Sequence, residues 1–151
     1  MSKFLKRSAA VLSLLSVSMF ALAEVTVESP YVRAVPPGQT NTAAFMQLKN
    51  ESAEAVSLVS ASSSIAENVE LHNHISEDGV MKMRQVELIS ISANGNASLE
   101  PGGYHVMLIG LNKEIAAGDM VDLEVKFSDG SSQQLTVPVK KVMAHSHHHH
   151  H

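Results

Sequence analysis

What most restricts the fold of this chain is its punctuation. Turn-forming clusters stand at Pro36-Pro37-Gly38, Asp78-Gly79, Asn94-Gly95-Asn96, Pro101-Gly102-Gly103 and Asp129-Gly130, and they break the chain into short segments. The runs between them are rich in β-branched residues or alternate apolar with polar at every second position. They are Val25 to Val32, Ala43 to Leu48, Val56 to Ala61, Val69 to His74, Val80 to Val86, Ile89 to Ile91, Tyr104 to Ile109, Val121 to Phe127 and Gln134 to Val137. A period of two belongs to a pleated strand. Evenly spaced short strands of this kind predict an all-β, antiparallel sandwich or barrel, in a single domain without internal repeats. Ser62 to Asn68 and Leu111 to Gly118 are expected to add helical turns. Pro138 has no N–H to give to a ladder, so the last strand should stop before it or lie on a sheet edge.

The amino terminus sets the compartment. Lys3, Lys6 and Arg7 precede an uncharged run from Ser8 to Leu22, and Ala21-Leu22-Ala23 offers the small residues of a cleavage site. This is the pattern of a secretory signal at residues 1–23, with the mature chain starting at Glu24 outside the cytoplasm. The apolar run is short for a bilayer span and contains Ser13, Ser16 and Ser18, so no lasting membrane insertion is expected. Removing the leader takes three of the 11 Lys and Arg residues and none of the 15 Asp and Glu residues, leaving a formal charge of −7. With no basic cluster longer than Lys140-Lys141, there is no footprint for nucleic acid.

The chain has no cysteine. It therefore builds neither a disulfide nor a thiolate ligand, which excludes a blue-copper centre and an iron–sulfur cluster. It does hold His72, Met83, His105 and Met107. Two imidazoles with two neutral thioethers form a soft set that favours Cu(I) over the harder, more abundant metals. His105 and Met107 are two apart in one run and so share a face, with Tyr104, Val106 and Leu108 expected on the other. If the runs 69–74 and 80–86 pair around Asp78-Gly79, residues whose numbers sum to 157 oppose one another. His74 then faces Met83, and His72 lies diagonal to it. A loop one residue shorter or longer would turn Met83 away from His72. Met46 and Met120 read as core filler, while Met81 and His74 are the nearest additional donors.

The spacing from His72 over ten residues to Met83, and over twenty-one more to His105-x-Met107, resembles the periplasmic copper chaperones of the PCuAC type. Glu70-Leu71-His72, Gly79-Val80-Met81-Lys82-Met83-Arg84 and Pro101-Gly102-Gly103-Tyr104-His105-Val106-Met107-Leu108 strengthen the likeness, which covers the segment 24–140. The resemblance implies a cupredoxin-like Greek-key sandwich that binds Cu(I) through His72, Met83, His105 and Met107. It also implies delivery to the CuA centre in subunit II of cytochrome c oxidase, often beside a thiol-bearing Sco-type partner.

His145 and His147 to His151 hold six of the nine histidines in a tail, residues 141–151. A purification tag is one reading, and a native extension that gathers Cu(II) is the favoured one. No Gly-x-Ser-x-Gly, His-Glu-x-x-His or phosphate-cradling loop is present, so an enzyme is not expected. A copper-resistance or storage protein, or a metal-free sandwich used for adhesion or assembly, remains as the alternative.

Overall fold

The computed structural model describes residues 25–142, so the expected leader at 1–23 and the histidines of the tail lie outside the described residues. Ten strands form: β1 (Val25–Arg33), β2 (Asn41–Asn50), β3 (Val56–Ser62), β4 (Ala66–Glu77), β5 (Val80–Gln85), β6 (Ile89–Ile91), β7 (Asn96–Leu99), β8 (His105–Leu111), β9 (Met120–Phe127) and β10 (Ser132–Lys140). They hydrogen-bond into one unclosed sheet in the order β5-β4-β8-β2-β1-β10-β9-β3-β6, with β7 also paired to β2. All pairings are antiparallel except β1 with β10. The insertion of β8 between β4 and β2, and of β10 between β1 and β9, gives the crossover connections of a Greek key.

Alternation decides what lies inside. Ala44, Met46 and Leu48 of β2, Val106 and Leu108 of β8, Leu71 of β4, Leu123 and Val125 of β9, and Val137 and Val139 of β10 belong to one buried cluster. The alternate residues of β4, β8 and β2, among them His72, His105, Met107, Ala43 and Phe45, therefore occupy the opposite face of the same strands. Buried Asn50 is fully engaged: it donates to the carbonyls of Glu54, Ile91 and Ser92, and accepts from Ser52. This ties the β2–β3 turn to β6 at the cost of no stranded polar group.

Two turns place the chemistry. Glu77 pairs with Val80 across a two-residue loop in which Asp78 (φ 51°) and Gly79 (φ 77°) both have positive φ. Those are the angles of a type I′ turn, whose twist suits a tight hairpin. The register is the expected one, with His74 opposite Met83 and His72 opposite Gln85. At Glu100-Pro101-Gly102-Gly103, proline takes the second position and Gly102 (φ 88°) the third, closed by Gly103 N–H to Glu100 O at 2.9 Å, as in a type II turn.

Several expectations are corrected. No helix forms among the described residues. Between 62 and 68 the chain makes a turn and continues as β4. Ser64 gives its N–H and hydroxyl to the Asp122 carboxylate, and the Ser63 hydroxyl donates to Asp122 O, so these groups bond to β9 rather than within a helical turn. Between 111 and 118 the chain is irregular, with Ile115 buried and Gly118 at φ 98°; segments this short cannot recover the cost of nucleating a helix. β10 neither stops at Pro138 nor lies at an edge. It passes through Pro138, whose partner Met120 is the last rung of the β9 ladder, and then takes up β1 at Val139. The missing N–H thus falls where β10 changes partners. Met46 is core, but Met120 is 53% exposed. Val106 and Leu108 point inward as expected, whereas Tyr104 precedes β8 and is exposed.

Candidate metal centre

His105 begins β8, immediately after the Pro101-Gly102 turn. It pairs with His72 of β4, and Met107 pairs with Glu70 two residues on. Neighbouring β5 brings Met83 opposite His74. One face of three adjacent strands therefore carries Glu70, His72, His74, Met83, His105 and Met107. The ring centroids of His72 and His105 lie 5.7 Å apart, and those of His74 and His105 5.1 Å apart. The four sequence-predicted residues are thus brought to a common face, and His74 joins them.

Each ring presents a nitrogen with nothing to bond. His105 Nδ1 donates to Gly103 O at 3.0 Å, which fixes the tautomer and leaves a lone pair on Nε2. His72 Nε2 donates to Glu70 Oε2 at 2.7 Å, which leaves the lone pair on Nδ1. Buried His105 Nε2, His72 Nδ1 and His74 Nδ1 have no hydrogen-bond partner. Buried polar atoms are paired in the large majority of cases, and metal-binding histidines commonly hold their second nitrogen by a carbonyl or carboxylate in this way. Among the described residues, no three His, Cys, Asp or Glu side chains converge closely enough to hold an ion by themselves. Further donors at this face would therefore be the thioethers.

A cavity of about 130 Å³ opens on the set. Its walls include His74, Met83, His105 and Met107, with Ala43 and Phe45 of β2, Arg33 of β1, and Pro101 and Gly102 of the turn. His72, across the β4–β8 ladder from His105, is not among the cavity walls. The walls are mostly apolar, and His105 is 2% exposed, whereas Met83 at the margin is 42% exposed. A donor at the mouth is open to a partner.

β1 reaches this face through an irregularity invisible in its composition. Residues 29 and 30 together oppose one residue of β2, with Ser29 at φ 50°, so the register shifts between Glu28 and Tyr31. This two-against-one bulge reverses which side chains point inward. Val25 and Val27 pack on the core before it, Val32 after it, and Tyr31 and Arg33 are sent to the site face. Tyr31 packs on Phe45 at 5.3 Å, the Arg33 guanidinium lies 5.2 Å over the Phe45 ring, and Phe45 lies 6.2 Å from His105.

Burial holds the His105 imidazole below the usual histidine pKa. The acceptor at Gly103 opposes this, while nearby His74, His72 and Arg33 add to it by repulsion. Neutral His105 keeps its lone pair near neutral pH. Phe45, Tyr31 and Arg33 were missed from sequence, because Ala43-Ala44-Phe45-Met46 is buried on both faces and shows no alternation. His74 and Glu70 were detectable, since Glu70-x-His72-x-His74 is itself a period of two.

Comparison with known proteins agrees with this architecture. A family model described as "LpqE-like: Putative lipoprotein LpqE-like" matches residues 25–139. The "Putative lipoprotein Lxx21020" of Leifsonia xyli subsp. xyli is 36% identical over 117 residues, 77% of this chain and 69% of that protein. The solution structure of CuI-DR1885 from Deinococcus radiodurans is 36% identical, with a TM-score of 0.65 over 78% of each chain. That of apo-DR1885 is 31% identical, with a TM-score of 0.63 over 95% of each. A copper-bound PCuAC domain from PmoF2 has a TM-score of 0.69 and covers 82% of this chain and 97% of its own, at 20% identity, a likeness of fold alone. The all-β cupredoxin-like class expected from sequence is the one observed.

Proposed function

We propose that this chain, which belongs to the LpqE-like family, is a copper carrier that works outside the cytoplasm, holds Cu(I) through His72, Met83, His105 and Met107, and passes it to a cuproprotein. The observation that carries the reading is the set of buried imidazole nitrogens without partners, next to two thioethers on one sheet face. Nitrogen and thioether sulfur favour cuprous copper, and neither thioether needs to lose a proton to bind. The names of the solved relatives, one loaded with Cu(I), support copper as the cargo. The amino-terminal leader pattern and the lipoprotein description of the relatives support the compartment.

Transfer is an exchange of ligands. Four neutral donors hold Cu(I) less strongly than thiolates do, so copper runs downhill to a cysteine-bearing acceptor. The CuA centre of cytochrome c oxidase, served with a Sco-type thiol protein, is the acceptor we propose. Histidine 105 keeps its lone pair because burial disfavours its charged form, and Met83 at the cavity mouth is the donor an incoming thiolate displaces. In this role the chain is a carrier rather than an enzyme.

Anaerobic competition with a Cu(I) chelator tests the reading. Met83→Leu and Met107→Leu keep volume and apolarity, so the fold should persist while affinity falls by about tenfold or more. Wild-type affinity in both variants would overturn the site.

A further inference from the structure

His72 and His74 share one sheet face with the sulfurs of Met83 and Met107. Two residues apart on one face of β4, they are spaced by about 7 Å, and each buries an Nδ1 that bonds to nothing. Their surroundings differ. His72 is opposite His105 and tied by Nε2 to Glu70. His74 is opposite Met83, its ring is nearer to His105, and it lines the cavity together with Met83, His105 and Met107, where His72 does not. The Asp78-Gly79 turn that puts Met83 on this face puts it directly across from His74. A desolvated polar nitrogen without a partner is unfavourable, and the four-donor set leaves one of the two unused.

We infer that His74 is a copper donor in its own right, so that this face offers two overlapping sets, His72/Met83/His105/Met107 and His74/Met83/His105/Met107, between which Cu(I) passes by exchanging one imidazole for the other. The inference rests on the copper-carrier reading. No electron moves: a bond from copper to His72 Nδ1 breaks as one to His74 Nδ1 forms, one imidazole donor replacing another. The sets alternate because three imidazoles do not converge here on one ion. The His72 set is the one braced by Glu70. The His74 set borders the cavity and is the one an acceptor meets.

The test uses the purified full chain with one equivalent of Cu(I) under anaerobic conditions. Long-range proton–nitrogen NMR correlations report each imidazole nitrogen, and His74→Asn assigns the His74 signals. The expected result is a displaced His74 Nδ1 resonance, together with release of copper to a chelator slowed about tenfold in His74→Asn. Because one imidazole substitutes for the other, either single variant, His72→Asn or His74→Asn, should lose only severalfold in affinity, and the double should lose far more than the two combined. An unmoved His74 Nδ1 with wild-type release from His74→Asn would overturn the inference. If Met83→Leu or Met107→Leu still weakens binding in that case, the carrier reading stands and only the second set is removed; if neither does, both fall.

Discussion

Glu70 offers a measurable handle on the site, because it touches a proposed ligand without being one. Its Oε2 accepts from His72 Nε2 at 2.7 Å, and the two side chains are 31% and 14% exposed. Hydrogen bonds to a charged group contribute about 1.5–3 kcal/mol and neutral ones about 0.5–1.5 kcal/mol. Replacing Glu70 with Gln keeps the shape and an acceptor oxygen but removes the charge, a difference of about 1 kcal/mol before the partial exposure of Glu70 reduces it. Cu(I) affinity of Glu70→Gln should therefore fall by about threefold to fivefold, from weaker orientation and lower basicity of His72. Glu70→Ala removes the acceptor as well and should cost about tenfold. Competition titration with a colorimetric Cu(I) chelator measures both, and urea unfolding of the metal-free variants shows whether the effect is local. Equal affinities for wild type, Glu70→Gln and Glu70→Ala would refute the reasoning. So would an affinity loss that merely follows loss of apo-protein stability. If His74 substitutes for His72, the loss in Glu70→Ala should grow in the Glu70→Ala/His74→Asn double variant.

Other expectations test the frame that holds the site. Gly110 lies in β8 at φ 71°, and an added Cβ would meet Glu67 Cβ at 3.1 Å, so Gly110→Ala should lower stability by about 1–2 kcal/mol, read as a lower urea midpoint. Leu108 is fully buried on the face of β8 opposite Met107, and Leu108→Ala should cost about 3 kcal/mol in the same assay. For pH, the folded state depresses the His105 pKa. The stabilisation from keeping it neutral is complete above the unfolded value of about 6.5 and is lost as pH falls through the folded value. Metal-free protein should thus unfold at lower urea at pH 5 than at pH 7.5, and His105→Asn should flatten that difference.

Much of this was legible along the chain because it is governed by local chemistry. Asp78-Gly79 specifies a two-residue hairpin by needing two positive φ angles, and that alone puts Met83 opposite His74. His105 and Met107 share a face because strand side chains alternate. The donor types name a soft metal whatever the fold. Local chemistry failed where distant partners decide. β7 (Asn96–Leu99) has no β-branched residue, and its first residue was assigned to the preceding turn; only its pairing with Met46 to Lys49 makes it a strand. The exposure of Met120 follows from its place at the end of the β9–β10 ladder, not from its side chain. Helical turns were expected at 62–68 because no local signal shows that the Asp122 carboxylate waits on β9.

The amino-acid sequence by itself determined nine of the ten strands, the hairpin register and the four candidate donors, since turn angles and period-two alternation act over a few residues. Only the tertiary structure decided that these donors lie on the face away from the core, that the bulge at Ser29 sends Tyr31 and Arg33 to join Phe45 beside His105, and that His74 borders the cavity while His72 is held by Glu70. Those outcomes depend on which strands become neighbours, and the order β5-β4-β8-β2-β1 is set by packing one apolar core from segments far apart in the chain.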